Sequence, residues 1–298
     1  MPENLMTEEE YREHPAMNFS SLSSFYNKGV DSPDHALMKF EFKSYFEFGK
    51  MFETMLQDLA SGSKEFEKRF FKSTVNGKMP DDMIMWIDEG ENLEDHIKLK
   101  KDGSRNMQSK TKHAFIDEAL ENPGKIPVST KDWSMLERLS NNMLKMEYLE
   151  VKVCDLLAKA KWQVPIIFID VDGIEKKALL DCLVDLGGKF LPIDIKTAAN
   201  FQKFGFMLRD KYFLQEIQYT SAVSTAYGPC DNMPFFVASK EAPFLCQPWE
   251  MDYGNKDAKF TAVEEYLELC QNYKKWSDAG RWPKGWLPLH TQTYFVKN

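Results

Sequence analysis

Asp181, Asp185, Asp194 and Lys196 all fall inside one strand-like run, KKALLDCLVDLGGKFLPIDIKTA, from Lys176 to Ala198. Charge in an apolar strand is costly unless something compensates it. Gly187-Gly188 has the composition of a two-residue hairpin turn. That turn places Asp181 opposite Asp194, Asp185 opposite Phe190 and Lys196 opposite Leu179. Directly opposed side chains have Cβ atoms about 4.5–5.5 Å apart, so two carboxylates there need a cation or a proton between them. Ligation by oxygen alone favours Mg2+, with Mn2+ as a substitute, over zinc. Asp185, beside the turn, is the weaker ligand. Lys196 shares a strand face with Asp194 and is suited to stabilise developing phosphate charge or to position an attacking water. The competing reading makes these residues the outward side of a half-exposed hairpin, and a one-residue slip in register would change the faces.

Other elements must hold that hairpin. FEFGKMFETMLQDLA carries apolar residues at Phe48, Phe52, Met55, Leu56 and Leu59, the spacing of a helix with one buried face. NFSSLSSFY reads as a short helix with Leu22, Phe25 and Tyr26 as its stripe, followed by a turn at Asp31–Asp34. KDWSMLERLSNNMLKMEYLE is a further amphipathic helix, and QVPIIFIDVDGIEKKALLDCLVDL is β-rich with Asp172-Gly173 as a hairpin signal. KYFLQEIQYTSAVSTAY has helical spacing, PFFVASK reads as a strand, and TAVEEYLELCQNYKKWSDAG as a closing helix that stops at Gly280. The charged, polar stretch 97–112 reads as a mobile loop. Helices therefore flank a sheet in one α/β domain spanning 1–298, with its core at about 18–286 and no linker dividing it.

Composition narrows the class. The 298 residues are 43% hydrophobic and 13% aromatic, enough for a large core. No apolar run approaches the roughly 18 residues of a membrane span, and the polar, acidic start is unlike a signal peptide, so a cytoplasmic protein without membrane contact is expected. Five scattered cysteines without a C-x-x-C suggest neither a disulfide framework nor a zinc ribbon. The net charge of −8 argues against a coat protein for nucleic acid, although local basic strips still suit phosphates. His14, His35, His96, His113 and His290 show no ligand spacing.

Asp181 followed by Asp194-Ile195-Lys196 resembles the core motif of the PD-(D/E)XK nuclease superfamily. Gly49 and Glu53 in FGKMFETMLQD, Gln215 and Tyr219 in KYFLQEIQYTSAV, the opening NFSSLSSFYNKGVDSPDHAL, and FFVASKEAPF with CQNYKKWSDAGRWPKGW extend the resemblance to recombination exonucleases of the exonuclease VIII (RecE-like) type, related to lambda exonuclease. Order and spacing hold from about Asn18 to Trp286. Position 53 is Glu where many relatives have His, and Asp181 follows Leu-Leu without the basic residue often found there.

The resemblance implies a restriction-endonuclease-like core with a central mixed β-sheet. It also implies Mg2+-dependent hydrolysis of DNA at duplex ends, in the 5′–3′ direction, leaving 3′ single strands for an annealing protein. Asp181, Asp194, the Ile195 carbonyl and Glu53 would hold metal, and Lys196 would orient or activate water. Gln215 and Tyr219 would brace the site, with helix packing as the plainer role. Lys203, Arg209 and Lys211 flank the motif and are candidates for phosphate contact. A ring-forming homo-oligomer, encoded by a phage or prophage and active in a bacterial cytoplasm, completes the implied picture. A nicking or structure-selective endonuclease, or a DNA-end-binding protein without catalysis, are the alternatives.

Overall fold

A computed structural model of the chain describes residues 6–27 and 44–278. The turn read at Asp31–Asp34, the helix stop at Gly280, His35, His290 and the tryptophans of GRWPKGW lie outside the described residues. In chain order the elements begin with α1 (Glu8–Glu13), β1 (Met17–Asn18), α2 (Phe19–Asn27), α3 (Ser44–Ser61), α4 (Glu65–Arg69) and β2 (Phe70–Lys72). Next come α5 (Met83–Asp88), α6 (Lys110–Glu121), β3 (Ile126–Val128), α7 (Thr130–Leu144), β4 (Glu147–Tyr148), β5 (Val151–Lys152) and α8 (Val153–Leu157). The chain continues through β6 (Lys161–Ile169), β7 (Glu175–Asp185), β8 (Phe190–Ala198), α9 (Phe201–Met207) and α10 (Phe213–Ala226), and closes with β9 (Phe235–Ser239), β10 (Cys246–Trp249) and α11 (Lys256–Asp278).

Where the sequence offers no boundary, the contacts divide the chain into two compact units. One comprises Met1–Glu41, Lys159–Val237 and Gln247–Asn298, the other Phe42–Ala158 and Ala238–Cys246. The main sheet is mixed, in the order β1-β7-β8-β9-β10, with β6 also paired to β7. The first unit is thus a mixed sheet with helices against it, an α/β arrangement.

Turn chemistry builds the central hairpin. Gly187 and Gly188 take φ of +81° and +96°, a region that suits glycine. The Asp185 carboxylate accepts both of their N–H groups at 2.9 Å, and the Leu186 N–H donates to the Lys189 carbonyl at 2.8 Å. The ladder pairs Asp185 with Phe190 and Cys182 with Ile193, the register the two-glycine turn predicts. The preceding hairpin turns at Asp172-Gly173 and pairs Ile169 with Glu175. Val164, Ile166, Ala178, Leu180 and Leu183 of these strands are buried in one cluster with Ala222, Val223 and Phe235.

Two lysines hold the remaining parts of this unit. Lys176 has no exposed surface and pairs with Asp170 at 2.7 Å and Asp172 at 2.8 Å. Asp170 also accepts from the Ser221 hydroxyl at 2.7 Å and the Tyr266 hydroxyl at 3.2 Å, which fastens α10 and α11 to the hairpin. Lys177 donates to the carbonyls of Tyr11, Arg12 and His14, capping the C-terminal end of α1, where orphan carbonyls need donors.

In the second unit Phe48, Phe52, Met55 and Leu56 of α3 are buried as their spacing predicts, but Leu59 is 51% exposed because it sits in the last turn of the helix. The stretch 97–112 is not featureless. Leu99 bridges to Arg105, Arg105 makes a two-pronged pair with Asp117 at 2.6 and 2.8 Å, the Lys98 N–H donates to His113, and α6 starts at Lys110.

Candidate active site

The candidate cluster lies where two strands share one edge of β7. β6 occupies one edge of β7 from Glu175 to Leu183. The other edge is shared by β1, at Lys176 and Lys177, and by β8, from Cys182 to Asp185. β8 leaves the ladder just beyond Ile193. At that fork the Ile195 N–H donates at 2.8 Å to the Asp181 carboxylate instead of to a strand carbonyl, and the Asp194 N–H donates to the Pro234 carbonyl at 3.1 Å.

Asp194 is 2% exposed. Its Oδ1 accepts from Gln215 Nε2 at 2.5 Å. Its Oδ2 accepts no hydrogen bond among the described residues and carries only the ion pair with Lys196. Gln215 is also buried, and its Oε1 accepts no bond. Four turns of α10 packed across β6, β7 and β8 bring Gln215 and Tyr219 to this side of the sheet.

Electrostatics follow from this crowding. Burial pushes the Asp181 carboxyl up to about 7; the charge of Asp194 adds to the rise, while Lys196 and the Ile195 N–H oppose it. Burial alone would lower the Lys196 ammonium, yet Asp194 and Asp181 hold its pKa above the usual lysine value. It therefore stays charged. Burial also raises the Tyr219 hydroxyl.

The geometry brings Asp181, Asp194, Lys196 and Gln215 together. Tyr219 packs in the core cluster beside them. Asp185 is engaged in the turn. Glu53 lies on α3, in the second unit. Lys203 and Arg209 are exposed on α9 and the turn after it. Lys211 is half-buried, and burial lowers its pKa, with the Lys196 charge as a lesser cause.

Two features carry no sequence signal. Leu208–Tyr212 winds as a π-turn, a form often found at functional sites, and sets Tyr212 with Lys196 5.8 Å and Lys211 5.3 Å from its ring centroid. Gln163, across the β6 edge from Asp181, takes φ +49° and interrupts that ladder. A left-handed non-glycine residue in a strand stores strain of a kind that clusters at functional sites.

Among the described residues no group of three or more His, Cys, Asp or Glu side chains is placed to hold a metal ion. The acidic donors at the fork are hard oxygens, the Asp181 carboxylate and Asp194 Oδ2. Such a set suits Mg2+ or Mn2+, which keep several waters of their own. No described helix is long and apolar enough to cross a membrane.

No family model matches the chain, and no curated protein matches it. Among solved structures, the chain is similar to the crystal structure of a "putative exonuclease" from Eubacterium rectale, with 12% identity over 91% of this chain and 85% of that chain and a TM-score of 0.49. At that identity and TM-score the likeness assigns neither a family nor an activity.

Proposed function

We propose that Asp181, Asp194 and Lys196 form the centre of a Mg2+-dependent nuclease that hydrolyses DNA phosphodiester bonds at duplex ends. One observation carries this reading: two carboxylates and an ammonium converge at a strand fork, with one carboxylate driven to about 7 by burial and by its neighbour's charge. Functional carboxylates are commonly perturbed in this way. The resemblance to exonuclease VIII-type enzymes supports the same reading, because Asp181, Asp194-Ile195-Lys196 and Gln215 are its motif residues.

Asp181 and Asp194 would hold the cation with the Ile195 carbonyl, and Glu53 is the residue the resemblance assigns to complete the shell. A divalent ion there would lower the pKa of a bound water and offset charge on the attacked phosphate. Gln215 fixes the rotamer of Asp194 so that Oδ2 faces the cluster. Lys196, as a cation, stabilises charge developing on phosphate oxygens and orients the attacking water. Tyr219, one turn further along α10 and buried, would brace the site from the core. Lys203, Arg209 and Lys211, following β8, would take the flanking phosphates. Polarity from 5′ to 3′, a homo-oligomeric ring, a single-strand annealing partner and a bacterial cytoplasmic setting belong to the same proposal.

The test is an end-labelled linear duplex beside closed circular DNA, in Mg2+ and then in EDTA. This account expects Mg2+-dependent loss of the linear duplex with the circle spared. Cutting of the circle would make the protein an endonuclease. Binding of ends without cleavage of either substrate would reject catalysis.

A further inference from the structure

α9 is apolar on both of its faces. Phe204, Gly205 and Leu208 are buried. Phe204 stacks on Tyr212 at 5.5 Å and meets Trp249 edge-on at 5.5 Å. Trp249 closes on Gly205, where an added Cβ would lie 3.5 Å from the indole ring. This packing holds the helix firmly. On the other face Phe206 is 62% exposed and Met207, beside it, 37% exposed, where a surface helix ordinarily carries polar residues. Single exposed apolar side chains are normal. An adjacent aromatic and thioether on an anchored helix make a small, rigid apolar surface, the kind that marks a binding site.

Charge selects the occupant. Between Ala198 and Tyr212 the cations are Lys203, Arg209 and Lys211, against Asp210 as the single acid. Glu250, next to Trp249 in the chain, is held by the Asn232 amide at 2.8 Å. Other exposed apolar side chains have the opposite setting: Val171 stands between Asp170 and Asp172, and Leu186 follows Asp185. An aromatic ring among cations takes a base on its face and the adjoining phosphates on the cations, and such stacking tolerates any base. Position agrees with charge. Lys196 Nζ lies 5.8 Å from the Tyr212 ring centroid. Six residues at about 1.5 Å each separate Tyr212 from Phe206 by about 9 Å, the length of about two or three nucleotide steps of about 3.4 Å.

We infer that Phe206, with Met207 beside it, stacks on an unpaired base of the DNA a few nucleotides from the Lys196 cluster. A base inside an intact duplex is already stacked on its neighbours, so the contact favours ends that carry a single-stranded stretch over fully paired ends. The choice of DNA as ligand rests on the nuclease reading, but the contact itself requires no cleavage.

The experiment titrates Asp194→Asn protein in EDTA, at low salt, into duplexes with a short single-stranded end of either polarity. Each position of that end carries the fluorescent base 2-aminopurine in turn, and a matching set carries an abasic residue there. Saturable quenching at one or two adjacent positions is expected, with weaker binding of a fully paired duplex. Phe206→Ala should remove the quenching and weaken binding about 10-fold or more, the scale of losing one stacking aromatic, while Phe206→Trp restores both. On the abasic duplex the native side chain and Phe206→Ala should bind alike. Phe206 is exposed, so Phe206→Ala keeps its fold, which a thermal melt checks. Because nothing is hydrolysed here, a native protein that releases no nucleotide in Mg2+ defeats the nuclease reading and leaves this titration standing. Quenching at no position, equal affinity of Phe206→Ala, an equal loss on the abasic duplex, or equal binding of the fully paired duplex would overturn the stacking assignment alone.

Discussion

Replacing Asp181 with Asn tests the electrostatics of the strand fork without removing its geometry, because the Asn carbonyl can still accept the Ile195 N–H. In the folded chain the Asp181 carboxyl sits at about 7, against 3.8 for an unperturbed aspartate. Below about pH 4 both folded and unfolded states carry the proton and the group contributes nothing to the pH dependence. Between those two values the folded state keeps a proton that the unfolded state has lost, so stability falls as pH rises, and the loss is complete above about pH 7. A shift of about three pKa units corresponds to a ceiling of ~4 kcal/mol. Water at the partly exposed carboxylate reduces this to about 1–3 kcal/mol. Asn does not titrate. Urea unfolding in EDTA at pH 4.5, 6 and 8 should therefore show Asp181→Asn gaining about 1–3 kcal/mol on the native sequence as pH rises, with other titrating groups cancelling in the difference. Mg2+ at pH 8 should stabilise the native sequence and close the gap, since a cation that binds only the folded state adds stability by mass action. A difference that stays constant from pH 4.5 to 8 would refute the argument that Asp194 and burial together crowd Asp181.

Gln215→Leu removes the bond to Asp194 Oδ1 and leaves that buried oxygen without a donor; it should lower cleavage about 10- to 100-fold on labelled duplex and cost about 1–3 kcal/mol in urea unfolding. Asp170→Ala takes one of two carboxylates from the fully buried Lys176, which keeps Asp172, and leaves the Ser221 and Tyr266 hydroxyls without their acceptor; it should cost about 1–3 kcal/mol in urea unfolding, whereas Asp170→Asn should cost less. Asp185→Ala loses the acceptor of two turn N–H groups; about 1 kcal/mol of stability should go while cleavage persists, which separates this carboxylate from Asp181 and Asp194.

The hairpin was readable because its determinants are local. Gly187-Gly188 fixes the turn, and the turn fixes the register as far as Cys182 and Ile193; the expected pairings of Asp181 with Asp194 and of Lys196 with Leu179 are not made, because β8 leaves β7 there and the Ile195 N–H turns to the Asp181 carboxylate. The same locality made Phe48, Phe52, Met55 and Leu56 readable as one helix face. Lys176 and Lys177 were not readable as buried residues, since their burial depends on Asp170, Tyr266 and the end of α1, which approach only in the folded chain. The positive φ of Gln163 has no local cause such as glycine or asparagine. Tyr212 reaches Lys196 through a π-turn that helical spacing does not announce. Nothing in the composition of Phe42–Ala158 or Ala238–Cys246 sets these segments apart from their flanks, so the second unit is not announced by the sequence.

The most direct measurement is the rate at which acid-soluble nucleotide is released from linear duplex DNA in Mg2+ by the native protein and by Asp194→Asn and Lys196→Met, each checked for native unfolding behaviour. The account predicts release that EDTA stops and that both substitutions reduce by about a hundred- to a thousandfold, the scale of losing a principal electrostatic group from an active site. Equal rates in either folded variant, or a native protein inert toward DNA at every end structure, would contradict it.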